Sequence, residues 1–277
     1  YLTPHTSSLK KTVLFCSPNL PDFDASSGGK RATRLLELLA QDCEVYAFTL
    51  GNKPENHARK LEAAGVRVFQ ITDFQEVKQV LPQVDVLIFS FFYTYFDCGE
   101  FLKLYPNAKL VADTVDVHWV RHERSIGLWE ELTEEVVRKK KALEIEVYRK
   151  AEVIWAVTQF DKQAILAEVP EADVCIVSNV HPVEVPAWKD PGNNNLLFFG
   201  GFAHYPNIIA AKELVFRIFP KIREQVPDAK LLIAGSNAPL EIEELGKLPG
   251  VEFLGFVDED QLADLYRQSF LALVPLQ

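Results

Sequence analysis

The chain has 277 residues, enough for two domains that each bury a core. Its apolar (48%) and charged (25%) contents exclude the disordered, collagen-like and coiled-coil classes, and no run reaches the length of a membrane span. With 39 acidic against 29 basic residues the net charge is −10, the wrong balance for a duplex-binding protein and so for a nucleic-acid partner.

The first residues lack a signal peptide's order of charge, apolar stretch and cleavage site, which predicts a cytoplasmic location. A start at Tyr1 rather than Met suggests a trimmed segment of a larger polypeptide, and the chain contains no methionine. Short apolar runs then alternate with segments of helical period. Strands are expected at Thr12–Cys16, Glu44–Leu50, Arg67–Ile71, Asp85–Ser90, Lys109–Asp113, Val153–Thr158 and Val174–Ser178. Ala32, Leu35, Leu36 and Leu39 make one helical stripe; Leu128, Leu132, Val136, Leu143 and Val147 make another on the longest helix. Near-continuous apolar strands imply a parallel sheet covered on both faces, and right-handed crossovers make the topology Rossmann-like.

Residues 181–195 carry three prolines and three asparagines without a period, so they read as a linker between domains at 1–180 and 196–277. The alternation then restarts with strand Leu196–Phe199, a helix from Pro206, strands Lys230–Ala234 and Val251–Phe256, helix Asp260–Gln268 and strand Leu271–Val274. Ile208, Ala211, Val215, Ile218 and Ile222 share one face of the helix from Pro206. The pattern stops at Gln277, directly after a strand, which predicts a second doubly wound sheet that is incomplete. Cys16, Cys43, Cys98 and Cys175 form no CxxC pair and read as buried reduced thiols. The basic run Arg138–Lys141 reads as a solvated helix face, with a small anion or a membrane headgroup as its alternative ligand.

Ligands of doubly wound folds collect at the carboxyl ends of the strands, where helix N-termini present free N–H groups. Gly28-Gly29, followed by Lys30 and Arg31, stand there in the first unit, and Gly200-Gly201, followed by His204, in the second. Each pair fits either a backbone that approaches a phosphate or a tight turn without a ligand. The stretch Asp113 to Arg124 gathers Asp113, Asp116, His118, Arg121 and Arg124 in what reads as a loop. It fits a metal site of Asp113, Asp116 and His118, a substrate-recognition loop in which His118 meets a sugar hydroxyl or oxyanion, or a salt-bridged surface loop. Asp258-Glu259-Asp260 is more simply a helix cap.

These motifs resemble the group 1 (family 4) glycosyltransferases. The stretch Pro21 to Arg31 is similar to that family's first loop, and Asp113 to Arg124 to its D-x-x-D-x-H-x-x-R segment. Ser178-Asn179-Val180 resembles the asparagine turn that ends the first domain. FFGGFAHYPN, followed by LLIAGS, VEFLGFV and LALVPL, is similar to the second domain of the GGFxHxPN subgroup. The resemblance implies the GT-B architecture of two Rossmann-like domains, and retaining, metal-independent transfer of a sugar from a nucleotide donor, with no other cofactor. It places His118 on the transferred sugar, and Gly28, Gly29, Gly200, Gly201 and His204 near the donor phosphates. Backbone near Phe256 and Val257 would meet the base, with Asp116, Arg121, Arg124 and Lys30 on the acceptor side. The acceptor it implies is a growing glycan or a lipid-linked saccharide, with peripheral membrane association as one way to reach it. The sequence departs from the family where many relatives carry an Arg and a Lys after the first strand of domain two. The lysine-bearing glycine loop and paired-glutamate motif of the family should follow Gln277, so this chain is expected to bind donor weakly and to turn over little or nothing. A sugar-nucleotide epimerase, a non-catalytic sugar-nucleotide binder and a metal-dependent hydrolase are the alternatives.

Overall fold

The apolar runs pair into two parallel sheets. The computed structural model describes residues 10–23, 26–69, 74–127, 132–179 and 189–275. The chain folds as two compact units, Tyr1–Pro182 and Val183–Gln277. Leu128, Val180 and residues 181–188 of the expected linker lie outside the described residues, as do the last two residues of the strand expected at Arg67–Ile71.

The first unit runs β1 (Thr12–Ser17), α1 (Ser27–Asp42), β2 (Glu44–Thr49), α2 (Glu55–Ala63), β3 (Arg67–Phe69), α3 (Phe74–Val80) and β4 (Val86–Ser90). It continues with α4 (Thr94–Asp97), α5 (Glu100–Leu104), β5 (Lys109–Asp113), α6 (His118–Arg124), α7 (Glu134–Lys150), β6 (Val153–Ala156), α8 (Gln159–Glu168) and β7 (Val174–Ile176). The sheet order is β3-β2-β1-β4-β5-β6-β7. Alternate residues of β1 serve opposite faces. Leu14 and Cys16 join a cluster with Phe48, Phe89 and Phe101, while Val13 and Phe15 join one with Leu36, Leu61 and Ile88. Both faces are covered, as a parallel sheet of continuous apolar strands requires. The order reverses between β1 and β4, which makes their carboxyl ends the switch point where such folds hold ligands.

The second unit runs β8 (Asn195–Phe199), α9 (Tyr205–Glu213), a π-helical turn (Leu214–Ile218), α10 (Phe219–Gln225), β9 (Lys230–Ala234), α11 (Leu240–Glu243), β10 (Val251–Gly255), α12 (Glu259–Gln268) and β11 (Leu271–Ala272). Its four-stranded sheet has the order β10-β9-β8-β11. Ala211 and Val215 are buried in its core, with Ile208, Ile218 and Ile222 packed at the margin, so the expected stripe on the helix from Pro206 faces inward. That helix is continuous but locally widened. Phe219 N–H reaches back five residues to Leu214 O, and Pro220 beside it has no N–H to donate.

Capping accounts for several helix starts. Thr158 and Asp161 form a reciprocal capping box on α8, and Asp258 and Gln261 do the same on α12, as the acidic run at 258–260 predicts. On α7 the side chain of Thr133 accepts from Val136 N, Glu134 and Glu135 stand in the first turn, and Arg149 and Lys150 in the last, matching the dipole at both ends.

Three expectations need correction. The segment 113–124 is not a loop throughout, because His118–Arg124 form α6. The buried face of α7 carries Val137, Glu144, Ile145, Val147 and Tyr148, whereas Leu143 is exposed. A glutamate replaces leucine at the centre of that face, so the apolar pattern alone is misaligned. Cys16 and Cys98 are buried, but Cys175 on the edge strand β7 is exposed.

Candidate functional site

In the first unit, a buried polar network lies under the carboxyl ends of the strands. Asp113, the last residue of β5, is fully buried against Arg31 of α1, with Oδ1 2.8 Å from Arg31 Nη1. Its Oδ2 accepts from Arg31 Nη1 at 3.1 Å and from Ser90 Oγ at 3.2 Å. Arg31 Nε also donates to Val177 O just beyond β7, so one guanidinium joins α1, β5 and the end of β7. Burial pushes the Asp113 carboxyl up and Arg31 pulls it back, with burial the larger effect. Asp113 is thereby committed to structure, and Asp113, Asp116 and His118 do not gather as a metal-binding group.

A cavity of about 210 Å³ opens at the β1/β4 switch point, lined among others by Asn19, Asp22, Gly28, Phe91, Tyr93 and Val115. Two of its lining residues have left-handed backbone, Phe91 with φ 68° and Val115 with φ 56°. For a β-branched residue this conformation is an outlier, costing about 1–3 kcal/mol and usually tied to a site. The expected glycine pair stands in the first turn of α1, not before the helix. Ser26 Oγ accepts from Gly29 N at 3.0 Å, and Asp22 Oδ1 accepts from both Ser26 N and Ser26 Oγ. A side chain at Gly29 would strike Asp22, whose backbone oxygen lies 2.1 Å from the position of the added Cβ; one at Gly28 would meet Val115 at 3.0 Å. The chain's own carboxylate thus occupies this helix N-terminus. Lys30 follows in the same turn.

His118 opens α6 and is 6% exposed. Its ring makes edge contacts with Phe91, Phe92, Tyr93 and His122, at centroid distances of 5.3–6.0 Å. Nδ1 lies 3.0 Å from Asp116 O, an acceptor, so Nδ1 carries the proton and Nε2 is left for another partner. Asp116 and Arg121 pair at 2.7 Å, while the Arg124 guanidinium lies over the Phe160 ring at 5.1 Å. Burial, followed by the charges of Lys140, Arg121 and His118, lowers the pKa of His122.

Glu144, which the sequence pattern does not single out, completes this arrangement. It is fully buried; Oε1 accepts from His118 N at 3.0 Å and from Tyr148 OH at 2.7 Å, and Oε2 accepts from Trp119 N at 3.1 Å. Because Val117 provides no side-chain cap, Glu144 supplies one from α7. Burial, followed by the Glu144 charge, pushes the Tyr148 hydroxyl up, so it remains a donor. The signal in the sequence is a carboxylate seven residues after Val137 and four before Tyr148, inside a helical stripe.

In the second unit, Gly200 and Gly201 differ in kind. Gly200 is enclosed: its N–H donates to Ala234 O, a side chain there would meet Asn207 at 2.9 Å, and Gly200 O would be 1.9 Å from a Cβ on Gly235. Gly201 is exposed, and the nearest atom to an added Cβ is Ser236 Oγ at 3.6 Å, ordinary contact. Internal packing therefore requires glycine at 200 and not at 201. His204 is exposed at the N-cap of α9, and its N–H donates to Gly201 O. At the end of β10 the register shifts between Phe253 and Gly255, and Gly255 has φ 70°. This bulge turns Phe256 outward to 74% exposure, where it lines a groove of about 350 Å³ with Val257, Gln261, Asp264 and Gln268.

Residues 193–277 match the family model described as Glycosyl transferases group 1. No curated protein matches the chain. Among solved structures it is similar to TarM, at 10% identity and TM-score 0.60, covering 98% of this chain and 80% of that one. A mutant O-GlcNAc transferase of Thermobaculum terrenum gives 12% and 0.54, covering 98% of this chain and 50% of that one. The complex of S. aureus MnaA with UDP gives 12% and 0.52, covering 95% and 74%. The chain thus spans half the length of the Thermobaculum protein. Likeness at these identities shows the fold, which is α/β of the GT-B type with Rossmann-like parallel sheets.

Proposed function

We propose that the chain belongs to a retaining, metal-independent glycosyltransferase that moves a sugar from a nucleotide diphosphate donor to a hydroxyl acceptor, a glycan or lipid-linked saccharide. The observation that supports this most is the glycosyltransferase match over residues 193–277. The exposed Gly201, where packing does not require a glycine, leaves backbone open to a donor phosphate. Phe256 and Val257 offer a groove edge to the base. UDP in a complex of similar fold makes uridine the first base to try.

In the first unit His118 is the group for the transferred sugar, with Nε2 available to a hydroxyl. The bond from anomeric carbon to phosphate oxygen breaks, and the acceptor oxygen bonds that carbon on the same face. The departing diphosphate takes the acceptor proton. The protein's part is positioning and electrostatics, so no metal step is needed. Phe91 and Tyr93 give the cavity beside His118 an aromatic wall suited to a sugar face. Asp116, Arg121, Arg124 and Lys30 lie on the acceptor side of this reading, in the cytoplasm where nucleotide sugars are made.

Calorimetry with UDP, GDP and ADP, followed by transfer assays on the corresponding sugar nucleotides with and without chelator, tests the reading. One nucleoside diphosphate should bind, and its sugar should reach an acceptor with undiminished rate in chelator. Conversion of the donor to another nucleotide sugar without an acceptor would replace this reading with epimerisation.

A further inference from the structure

We propose that Glu144 is a positioning residue for His118, an inference that rests on the transfer reading above. A fully buried carboxylate requires hydrogen bonds or a counter-charge. Among the described residues no Lys or Arg pairs with Glu144, and His118 Nδ1 lies 3.8 Å from Oε1, beyond hydrogen-bond distance. Its acceptor capacity goes instead to the first two N–H groups of α6 and to Tyr148 OH. The first of those N–H groups belongs to His118 itself. Glu144 therefore holds the histidine by its backbone, at the orphaned start of a seven-residue helix with no cap of its own. Asp116 O holds the ring at Nδ1, so backbone and ring are both restrained and, among the described residues, Nε2 is the remaining free nitrogen. Phe91, Phe92 and Tyr93 close the sides of the ring.

Glutamine is nearly isosteric but offers one oxygen where two N–H groups need acceptors. Its amide would set an NH2 against either His118 N or Trp119 N. The start of α6 would then shift, and the ring with it.

The test is a double-mutant cycle of Glu144→Gln and His118→Ala, read as kcat and donor KM for acceptor-dependent UDP release from UDP-sugars. Glu144→Gln is expected to lower kcat by ~10- to 100-fold with little change in KM, the effect of a misplaced group. Added to His118→Ala it should have almost no further effect, because it acts through that residue. Additive losses in the cycle, or an unchanged kcat in a folded Glu144→Gln protein, overturn the inference. If Glu144→Gln does not fold, Tyr148→Phe replaces it, removing one bond to Oε1 while keeping the charge; a smaller kcat loss that vanishes in the His118→Ala background is expected, and an additive one overturns the proposal. Absence of acceptor-dependent release in the unaltered protein with every sugar nucleotide is a separate result: it defeats the transfer reading and takes this inference with it.

Discussion

His118 and Asp113 stand five residues apart and are both buried, yet they have different work. Among the described residues His118 keeps a ring nitrogen unassigned, whereas each Asp113 oxygen faces a partner. Removing the imidazole should therefore affect chemistry and removing the guanidinium should affect stability. For His118→Ala, kcat/KM for transfer is expected to fall by ~100-fold or more, with far-UV circular dichroism retained; an unchanged kcat/KM would reject the assigned role. For Arg31→Met, a buried carboxylate loses its partner, a loss of about 3–5 kcal/mol at neutral pH. The pH dependence has a definite sign. Asp113 is already raised in the fold, so its favourable contribution is full below its unfolded value and is lost as pH rises through the folded one. Without Arg31 the folded value climbs further. Chemical denaturation should find the Arg31→Met deficit greatest near neutrality and shrinking toward acid; a deficit constant with pH would mean that Asp113 is not the group left unpaired. The double variant Arg31→Met/Asp113→Leu should recover part of the loss.

At the scale of elements, Gly29 separates propensity from tertiary contact. Alanine in place of a helical glycine ordinarily stabilises by roughly 1 kcal/mol. At Gly29 the new Cβ would lie within 2.1 Å of the Asp22 backbone oxygen, so Gly29→Ala is expected to destabilise by about 1–3 kcal/mol, read as a lower melting temperature. A higher melting temperature would show that Asp22 is not packed on α1. The same contrast explains what the sequence could disclose. The strands were legible because each is a continuous apolar run between turn residues, and their positions match to within a residue or two. Helix α1 was legible through Ala32 and Leu36, but the position of its glycines was not, since Asp22 and Ser26 extend the cap from outside. Helix α6 was not legible at all. Its cap comes from Glu144, 26 residues from His118, and no local rule encodes that contact. In the same way the apolar pattern misplaces the inward face of α7, because a glutamate committed to backbone N–H groups looks like a surface residue in the sequence.

At the scale of the whole chain, the two units should differ in stability. Among the described residues the first has seven strands, with apolar clusters on both faces of the sheet. The second has four strands and one main cluster; α12 contributes no buried residue, and Phe256, Tyr266, Leu271 and Val274 are all at least half exposed. Stability follows the apolar area removed from water, at roughly 25 cal/mol per Å², so the smaller, less covered unit should open first. Native-state hydrogen exchange measures this directly. Amides of β1, β4 and β5 are expected to exchange only through the highest-energy opening, and those of β8 and β9 through a lower one that a bound nucleoside diphosphate raises. One common opening energy for both sheets would mean that the units unfold together. If UDP protected β4 and β5 while leaving β8 and β9 unchanged, the donor groove at Gly201 and Phe256 would be misassigned, whatever the fate of His118.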